Sequence, residues 1–305
     1  MIGWLFPGQG SQKVGMGLDF RESSEKAKKY FEQSEEIMNC KIQSIIFDGP
    51  EDTLKKTEYT QPAIFIVSFI IGQSLIDRGL KPNALAGHSL GEYSALAIGG
   101  AFDFSTGLKL VKLRSKSMAS AGNIQKGTMA AIIGMDDKSV EQLCSSYEGS
   151  ETLVTANYNA PGQVVISGGP QAIQWAMVNS KKMGARMAVE LNVSGAFHSP
   201  LMASARENLA EMINSLDISN TKYPIYTNVD AQPVTRNQDI KDSLIRQMEN
   251  PVRWTDSILR MKNDGIKSFF EIGPGKVLQG LNKRIDKSIK LQSIESVIQM
   301  EQINV

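Results

Sequence analysis

Ala84-Leu85-Ala86-Gly87-His88-Ser89-Leu90-Gly91-Glu92-Tyr93-Ser94-Ala95-Leu96-Ala97-Ile98 reads as a short buried strand, a sharp turn and a helix, with Ser89 at the corner. Glycines two positions before and after the serine leave room for a strained turn that lifts the hydroxyl clear of a sheet. The helix that follows aims free N–H groups and a positive dipole end at the same place. Such a corner suits an oxyanion formed when a serine attacks a carbonyl. The pentapeptide alone is a weak signal, since glycine and serine also meet in ordinary turns.

Working outward, the 305 residues allow one large or two modest domains with ample core. A composition of 41% hydrophobic and 21% charged residues is ordinary for a globular chain. Net charge of +1 argues against a general nucleic-acid or membrane-surface role. Cys40 and Cys144, the two cysteines, have neither metal-like spacing nor a disulfide framework, which fits a reducing compartment. Met1 to Pro7 lacks the basic and apolar regions of a signal peptide. Ala63 to Ile71, the longest apolar stretch, reads as too short to span a bilayer, so a soluble cytoplasmic protein is expected.

The order of elements sets the architecture. Ile2 to Phe6 predicts a buried strand ending in the loop Pro7-Gly8-Gln9-Gly10-Ser11-Gln12, at the strand end where α/β proteins place ligands. Helices are predicted over Arg21–Met38, from Gln61-Pro62 to near Gly79, and after the capping residues Asp103 to Thr106. Then the pattern changes to βαββαβ: Thr128–Ile133, Asp137–Ser146, Leu153–Ala156, Gln163–Ser167, Gln171–Met183 and Arg186–Leu191. Helices over Pro200–Leu216, Asp239–Met248 and Thr255–Asp264 alternate with strands at Pro224–Thr227 and Ser268–Ile272, and Lys276–Ile285 is helical. The expected fold is α/β: a large α/β-hydrolase-like domain with a parallel sheet, residues 1–123 and 195–305, and an inserted smaller ferredoxin-like domain, residues 124–194. Past Asp286 the tail is weakly patterned.

A serine nucleophile needs a base, and the chain has two histidines. His88 adjoins the serine on one turn, where its side chain should diverge. His198, in Ser194-Gly195-Ala196-Phe197-His198-Ser199-Pro200, is therefore the candidate base, with a surface or helix-capping histidine as the alternative. Among 32 acidic residues, none announces itself as the group that orients this histidine. Arg114 lies in a helix where the cations interleaved beside it, Lys112 and Lys116, read as solvated.

Six stretches or positions, taken in order, carry a resemblance. Phe6 to Gln12, Gly87 to Tyr93, Arg114, Asn157 to Gly168, Gly195 to Ser199, and Glu271-Ile272-Gly273-Pro274-Gly275 resemble the motif set of malonyl-CoA:acyl-carrier-protein transacylases, spanning residue 2 to about 285. The resemblance implies that Ser89 takes malonyl from malonyl-CoA as an ester and passes it to the phosphopantetheine thiol of acyl carrier protein, a ping-pong reaction. It implies His198 as the base, oriented by a backbone carbonyl at Gln247, and the N–H groups of Gln9 and Leu90 as the oxyanion hole. Arg114 becomes the clamp for the malonyl carboxylate, which a guanidinium can hold by two parallel hydrogen bonds. Phe197 would crowd the substrate α-carbon, with Met118 and Met129 lining the pocket or simply packing the core.

Coenzyme A enters as part of substrate and product, and neither a metal nor another cofactor is expected. Lys181, Lys182 and Arg186 are candidates for meeting an acidic carrier protein, though such residues are commonly just solvated. Two alternatives share part of this pattern: a free-standing acyltransferase serving a polyketide synthase, and a serine hydrolase, which leaves Arg114, the Gln9 loop and the inserted unit unexplained. A catalytically silent module that binds carrier protein is disfavoured by the intact Ser89, His198 and Arg114.

Overall fold

The computed structural model of the chain describes residues 1–303. Strand β1 (Ile2–Phe6) alternates its side chains between two cores: Trp4 and Phe6 face one, Leu5 the other. After the Gln9 loop come α1 (Leu18–Ser23) and α2 (Glu25–Met38). The helix predicted over Arg21–Met38 is thus two. Ser24 is extended between them, and its side chain accepts from the Ala27 N–H to start α2.

Two short helices, α3 (Ile42–Phe47) and α4 (Glu51–Leu54), lead to α5 (Thr57–Asp77). This helix begins before its predicted start, with Pro62 inside it. The N–H that Pro62 lacks would have bonded in the second turn, so only one hydrogen bond near the end is lost. Contrary to the reading of Ala63–Ile71, α5 is long and apolar enough to cross a membrane by length and composition. Its apolar surface is covered by protein instead: 78% of the most apolar window is buried.

Strand β2 (Ala84–Gly87), α6 (Gly91–Gly99) and α7 (Phe104–Ile124) follow, the last capped by Asp103 through the Thr106 N–H at 2.7 Å. The next elements are β3 (Thr128–Ile133), α8 (Asp137–Ser145), β4 (Leu153–Ala160), β5 (Gln163–Gly168), α9 (Pro170–Lys182) and β6 (Met187–Glu190). β4 outruns its predicted end because Asn157 to Ala160 stay paired with β5 across two irregularities, leaving Pro161-Gly162 as the turn. The chain continues through a short 3-10 turn at Pro200–Met202, α10 (Ala203–Ser215), β7 (Ile225–Tyr226), β8 (Pro233–Val234), α11 (Asn237–Gln247), α12 (Trp254–Asn263), β9 (Ser268–Ile272) and α13 (Val277–Ile285). The tail forms a strand, β10 (Lys290–Ile294), and α14 (Val297–Glu301). As an edge strand, β10 buries only its Ser293-Ile294 end, which explains its weak pattern.

Six strands make one sheet in the order β10-β9-β1-β2-β7-β8. All its pairs are parallel except β7 with β8, so the sheet is mixed where a parallel one was expected. Helices cover both faces: α5 and α6 against Trp4, Phe6 and Leu85, with α7 packed on α5 outside them, and α12 and α13 against Leu5, Ala84 and Phe269. A separate antiparallel sheet, in the order β4-β5-β3-β6, turns Met129, Ala131, Ala156 and Val165 toward the large core. Its other face packs Ile132, Val164 and Ile166 under α8 and α9.

Where β1, β2 and α6 meet, backbone contact is closer than any side chain allows. A Cβ at Gly91 would lie 2.0 Å from the Phe6 carbonyl oxygen, and one at Gly87 would lie 1.9 Å from the Gly91 carbonyl carbon. At Gly280, within α13, an added Cβ meets nothing within 4 Å. Gly91→Ala is therefore expected to destabilise by more than about 3 kcal/mol, whereas Gly280→Ala stabilises by about 0.5–1 kcal/mol. Urea unfolding of the two variants beside the parent checks both signs.

Candidate active site

Ser89 sits at the corner between β2 and α6 with φ +50°, a left-handed conformation that costs a non-glycine residue energy. Its peptide is gripped on both sides. The Ser89 N–H donates to Asn228 Oδ1 at 2.7 Å, and the Ser89 carbonyl accepts from Gln247 Nε2 at 3.1 Å. Asn228 follows β7, the neighbour of β2 in the sheet, so adjacent strand ends supply both groups.

His198 is also left-handed, at φ +56°, on the return from β6. Its Nδ1 lies 2.9 Å from the Gln247 backbone oxygen and its Nε2 lies 2.8 Å from Ser89 Oγ. A carbonyl can only accept, so Nδ1 carries the proton and Nε2 presents its lone pair to the serine O–H. Burial first, and the Arg114 charge second, push the imidazole pKa down to about 3. The ring is therefore neutral at ordinary pH and able to take a proton.

Arg114, on α7, is 0% exposed. One guanidinium nitrogen donates to Ser89 Oγ at 3.0 Å and to Gln247 Oε1 at 3.0 Å, and the other donates to Gln61 Oε1 at 2.7 Å. The charge stands 5.3 Å from the centre of the Tyr93 ring. Its Nε is buried and has no partner. These partners are all neutral, and among the described residues no carboxylate reaches ion-pair distance of Arg114. A buried guanidinium without an anion is costly, and a bound carboxylate would relieve it.

A cavity of about 110 Å³ opens in front of Ser89. Gln9, Leu90, Met118, Met129, Phe197 and His198 all contribute to its wall, together with Gln61, His88, Asn157, Leu191 and Val193. Among the described residues, the backbone N–H groups of Gln9 and Leu90 donate to no protein acceptor. The Gln9 side chain donates to Thr57 Oγ1 at 3.3 Å, and that hydroxyl lies 3.0 Å from Ser194 Oγ. His88 turns away from Ser89 Oγ, as expected; its Nε2 lies 2.7 Å from Asn159 Oδ1 and its ring 5.5 Å from that of Trp254. Lys181, Lys182 and Arg186 are exposed, the first two on the last turn of α9, in the layer of the small sheet that faces away from the large core. None of the three lines this cavity. No group of three His, Cys, Asp or Glu among the described residues could hold a metal ion.

Sequence reasoning missed Gln61, Asn228, Glu92 and the side chain of Gln247. Glu92 carried a signal: it is the one charged residue of α6, in which every residue is buried. Asn228 carried another, as a polar residue just beyond a parallel strand.

Comparison with known proteins follows the same geometry. The family model for the acyl transferase domain matches residues 3–302. A Bacillus subtilis protein named malonyl CoA-acyl carrier protein transacylase is 41% identical over 290 residues, covering 95% of this chain and 92% of that protein. The crystal structure of an acyl carrier protein S-malonyltransferase from Vibrio cholerae matches with a TM-score of 0.95 at 39% identity, covering 99% of both chains. The structure of a type II PKS acyl-carrier protein in complex with its malonyl-transacylase matches with a TM-score of 0.95 at 35% identity, over 98% of this chain and 97% of that one. The chain belongs to the acyl transferase family, and within it to the malonyl CoA-acyl carrier protein transacylases.

Proposed function

We propose that the chain moves a malonyl group from malonyl-CoA to the phosphopantetheine thiol of acyl carrier protein through an ester on Ser89, in the supply of fatty-acid synthesis. The observation that carries this reading is Arg114: a buried guanidinium, free of any carboxylate, 3.0 Å from the serine oxygen. A serine hydrolase of uncharged esters has no use for it. A transferase whose acyl group ends in a carboxylate does.

In the first half-reaction Ser89 Oγ gives its proton to His198 Nε2 and attacks the thioester carbon. The N–H groups of Gln9 and Leu90 hold the oxyanion. Collapse breaks the C–S bond, and the coenzyme A thiolate takes the proton from His198. The carrier thiol then gives its proton to His198 and attacks the Ser89 ester, and Ser89 leaves as the alkoxide and recovers the proton. The Gln247 carbonyl keeps Nε2 unprotonated and aimed, a task a carboxylate performs elsewhere. Phe197, 6% exposed in the cavity wall, restricts the substrate α-carbon, with Met118 and Met129 beside it.

Residues 1–123 and 195–305 are read as the α/β-hydrolase-like domain and residues 124–194 as a ferredoxin-like insertion. The sheet order β4-β5-β3-β6 and its separate core beneath α8 and α9 support that division. Cys40 and Cys144 are both free thiols, which supports a cytoplasmic setting. A second reading, in which the acceptor is a polyketide carrier, draws on the complex of a malonyl-transacylase with its type II PKS carrier. Transfer rates to both kinds of carrier separate the two.

The decisive test is incubation with malonyl-CoA alone, followed by mass spectrometry of the Ser89 peptide. A malonyl ester on Ser89 is the expected product; an unmodified peptide removes the reading, and rapid release of free malonate favours a hydrolase. Arg114→Ala is expected to lower malonyl transfer roughly a hundredfold or more and acetyl transfer far less, whereas equal losses would remove the clamp. Phe197→Ser is expected to raise the rate with methylmalonyl-CoA relative to malonyl-CoA by about tenfold, the worth of one methyl in an apolar pocket. An unchanged ratio in competition assays counts against that role.

A further inference from the structure

We propose that Glu92 is the positioning residue of this site: through Gln247 and Asn228 it holds both sides of the Ser89 peptide and keeps Arg114 in register with His198. The inference rests on the reading of Ser89 as the acylated residue.

Glu92 lies in the first turn of α6 and is 1% exposed. Its Oε2 accepts from Gln247 Nε2 at 2.7 Å and from the Asn228 N–H at 3.1 Å, and its Oε1 accepts from Ser243 Oγ at 3.4 Å. Both of the first two partners also touch Ser89, Gln247 with the same amide nitrogen and Asn228 with its side-chain oxygen. Gln247 Nε2 donates to the Ser89 carbonyl at 3.1 Å, and Asn228 Oδ1 accepts the Ser89 N–H at 2.7 Å. Gln247 also takes a hydrogen bond from Arg114 on its Oε1 and one from His198 on its backbone oxygen.

The decisive point is polarity. A glutamine amide can sit either way round, and a flipped Gln247 would turn its NH₂ toward the Arg114 guanidinium, donor against donor. An ionised carboxylate accepts and never donates, so Glu92 fixes the amide with Nε2 toward itself and Oε1 toward Arg114. Once protonated, Glu92 offers at most a neutral hydrogen bond, so the charge-assisted bond is lost and only Arg114 and the Ser89 carbonyl are left to orient the amide.

Burial pushes the Glu92 carboxyl up to about 7, against the pull of Gln247, Asn228, Ser243 and the Arg114 charge. The charged or titratable groups that act on it or feel it are Arg114 from α7, Arg246 from α11, and its neighbour Tyr93, itself pushed up to about 12. His198 is held down to about 3 and His88 is lowered by burial. Glu92 is thus the group beside Ser89 that changes charge near neutral pH.

The test is the rate of Ser89 malonylation by malonyl-CoA, as kcat/KM of the first half-reaction, from pH 5.5 to 8.5. The parent is expected to rise with pH about tenfold between two plateaus, centred near 7, as Glu92 ionises. Glu92→Gln, neutral at every pH, is expected to run flat at the lower plateau. Ser243→Ala touches neither Ser89 nor His198; loss of its hydrogen bond disfavours the carboxylate, so the rise moves up by roughly half a pH unit with the upper plateau unchanged. A parent profile without a rise in this range, a Glu92→Gln enzyme that keeps the rise or the full rate, or a Ser243→Ala rise that does not move overturns the proposal. Should Glu92→Gln fail to fold, the parent and Ser243→Ala still decide. A parent that never malonylates Ser89 overturns the proposed function, and this inference with it.

Discussion

Much of the molecule depends on one backbone contact, the approach of Gly91 to the Phe6 carbonyl. That carbonyl also accepts the His88 N–H at 3.0 Å, so the end of β1 and the corner after β2 are fastened together. The sheet places β7 on the other side of β2. Three neighbouring strand ends therefore deliver Gln9, Ser89 and Asn228 to one place. The left-handed Ser89 is held there by hydrogen bonds on both faces of its peptide, which offset the strain of its φ of +50°. Without the two glycines the corner could not close, and β1, β2 and α6 could not share a site.

Charge is arranged with the same economy. Arg114 and Glu92 are both buried, yet they do not pair directly; the Gln247 amide stands between them, 3.0 Å from one and 2.7 Å from the other. Direct pairing would neutralise the guanidinium and make an arriving carboxylate compete for it. One intervening amide lets Glu92 lower the cost of burying Arg114 without forming an ion pair with it. In the proposed reaction the malonyl carboxylate takes the vacant role of close partner, and selectivity for a charged acyl group follows from that separation.

Those parts of the site held by local geometry were legible in the sequence, and those held by long-range packing were not. Glycines at 87 and 91 around Ser89 forced a corner whatever lay elsewhere. With two histidines in the chain, His198 stood out by elimination. The Gln247 carbonyl was expected through the family resemblance, but its side chain, 158 residues from Ser89, and Asn228, 139 residues away, could be linked to the serine by no spacing rule. Their signal was that of polar residues near strand and helix ends, which any surface also offers. The tail strand β10 was missed for a related reason: half of an edge strand faces water, and its pattern fades. At Ser24 a capping hydroxyl split a predicted helix that its charge pattern alone would have continued.

The cavity bears on why a stored ester waits for a thiol. Its volume of about 110 Å³ amounts to a few waters at about 30 Å³ each. Met118, Met129, Leu191, Val193 and Phe197 form walls that offer a water almost no hydrogen bonds, and an ordered water needs two to four. In the proposed reaction the malonyl group occupies part of this space, its carbonyl on the N–H groups of Gln9 and Leu90 and its carboxylate reaching past Gln61 toward Arg114, which is fully buried and does not itself line the cavity. A water remaining on the apolar side of this space would find few partners, since, Asn157 apart, the polar lining groups Gln9, Gln61, His88 and His198 already hold hydrogen bonds to Thr57, Arg114, Asn159 and Ser89. A thiol needs no such solvation: sulfur is a weak hydrogen-bonding group, and a tethered arm delivers it without the need for a polar cage. In the proposed reaction the apolar part of the wall, which also shapes the acyl pocket, thus favours a thiol over water as the second nucleophile.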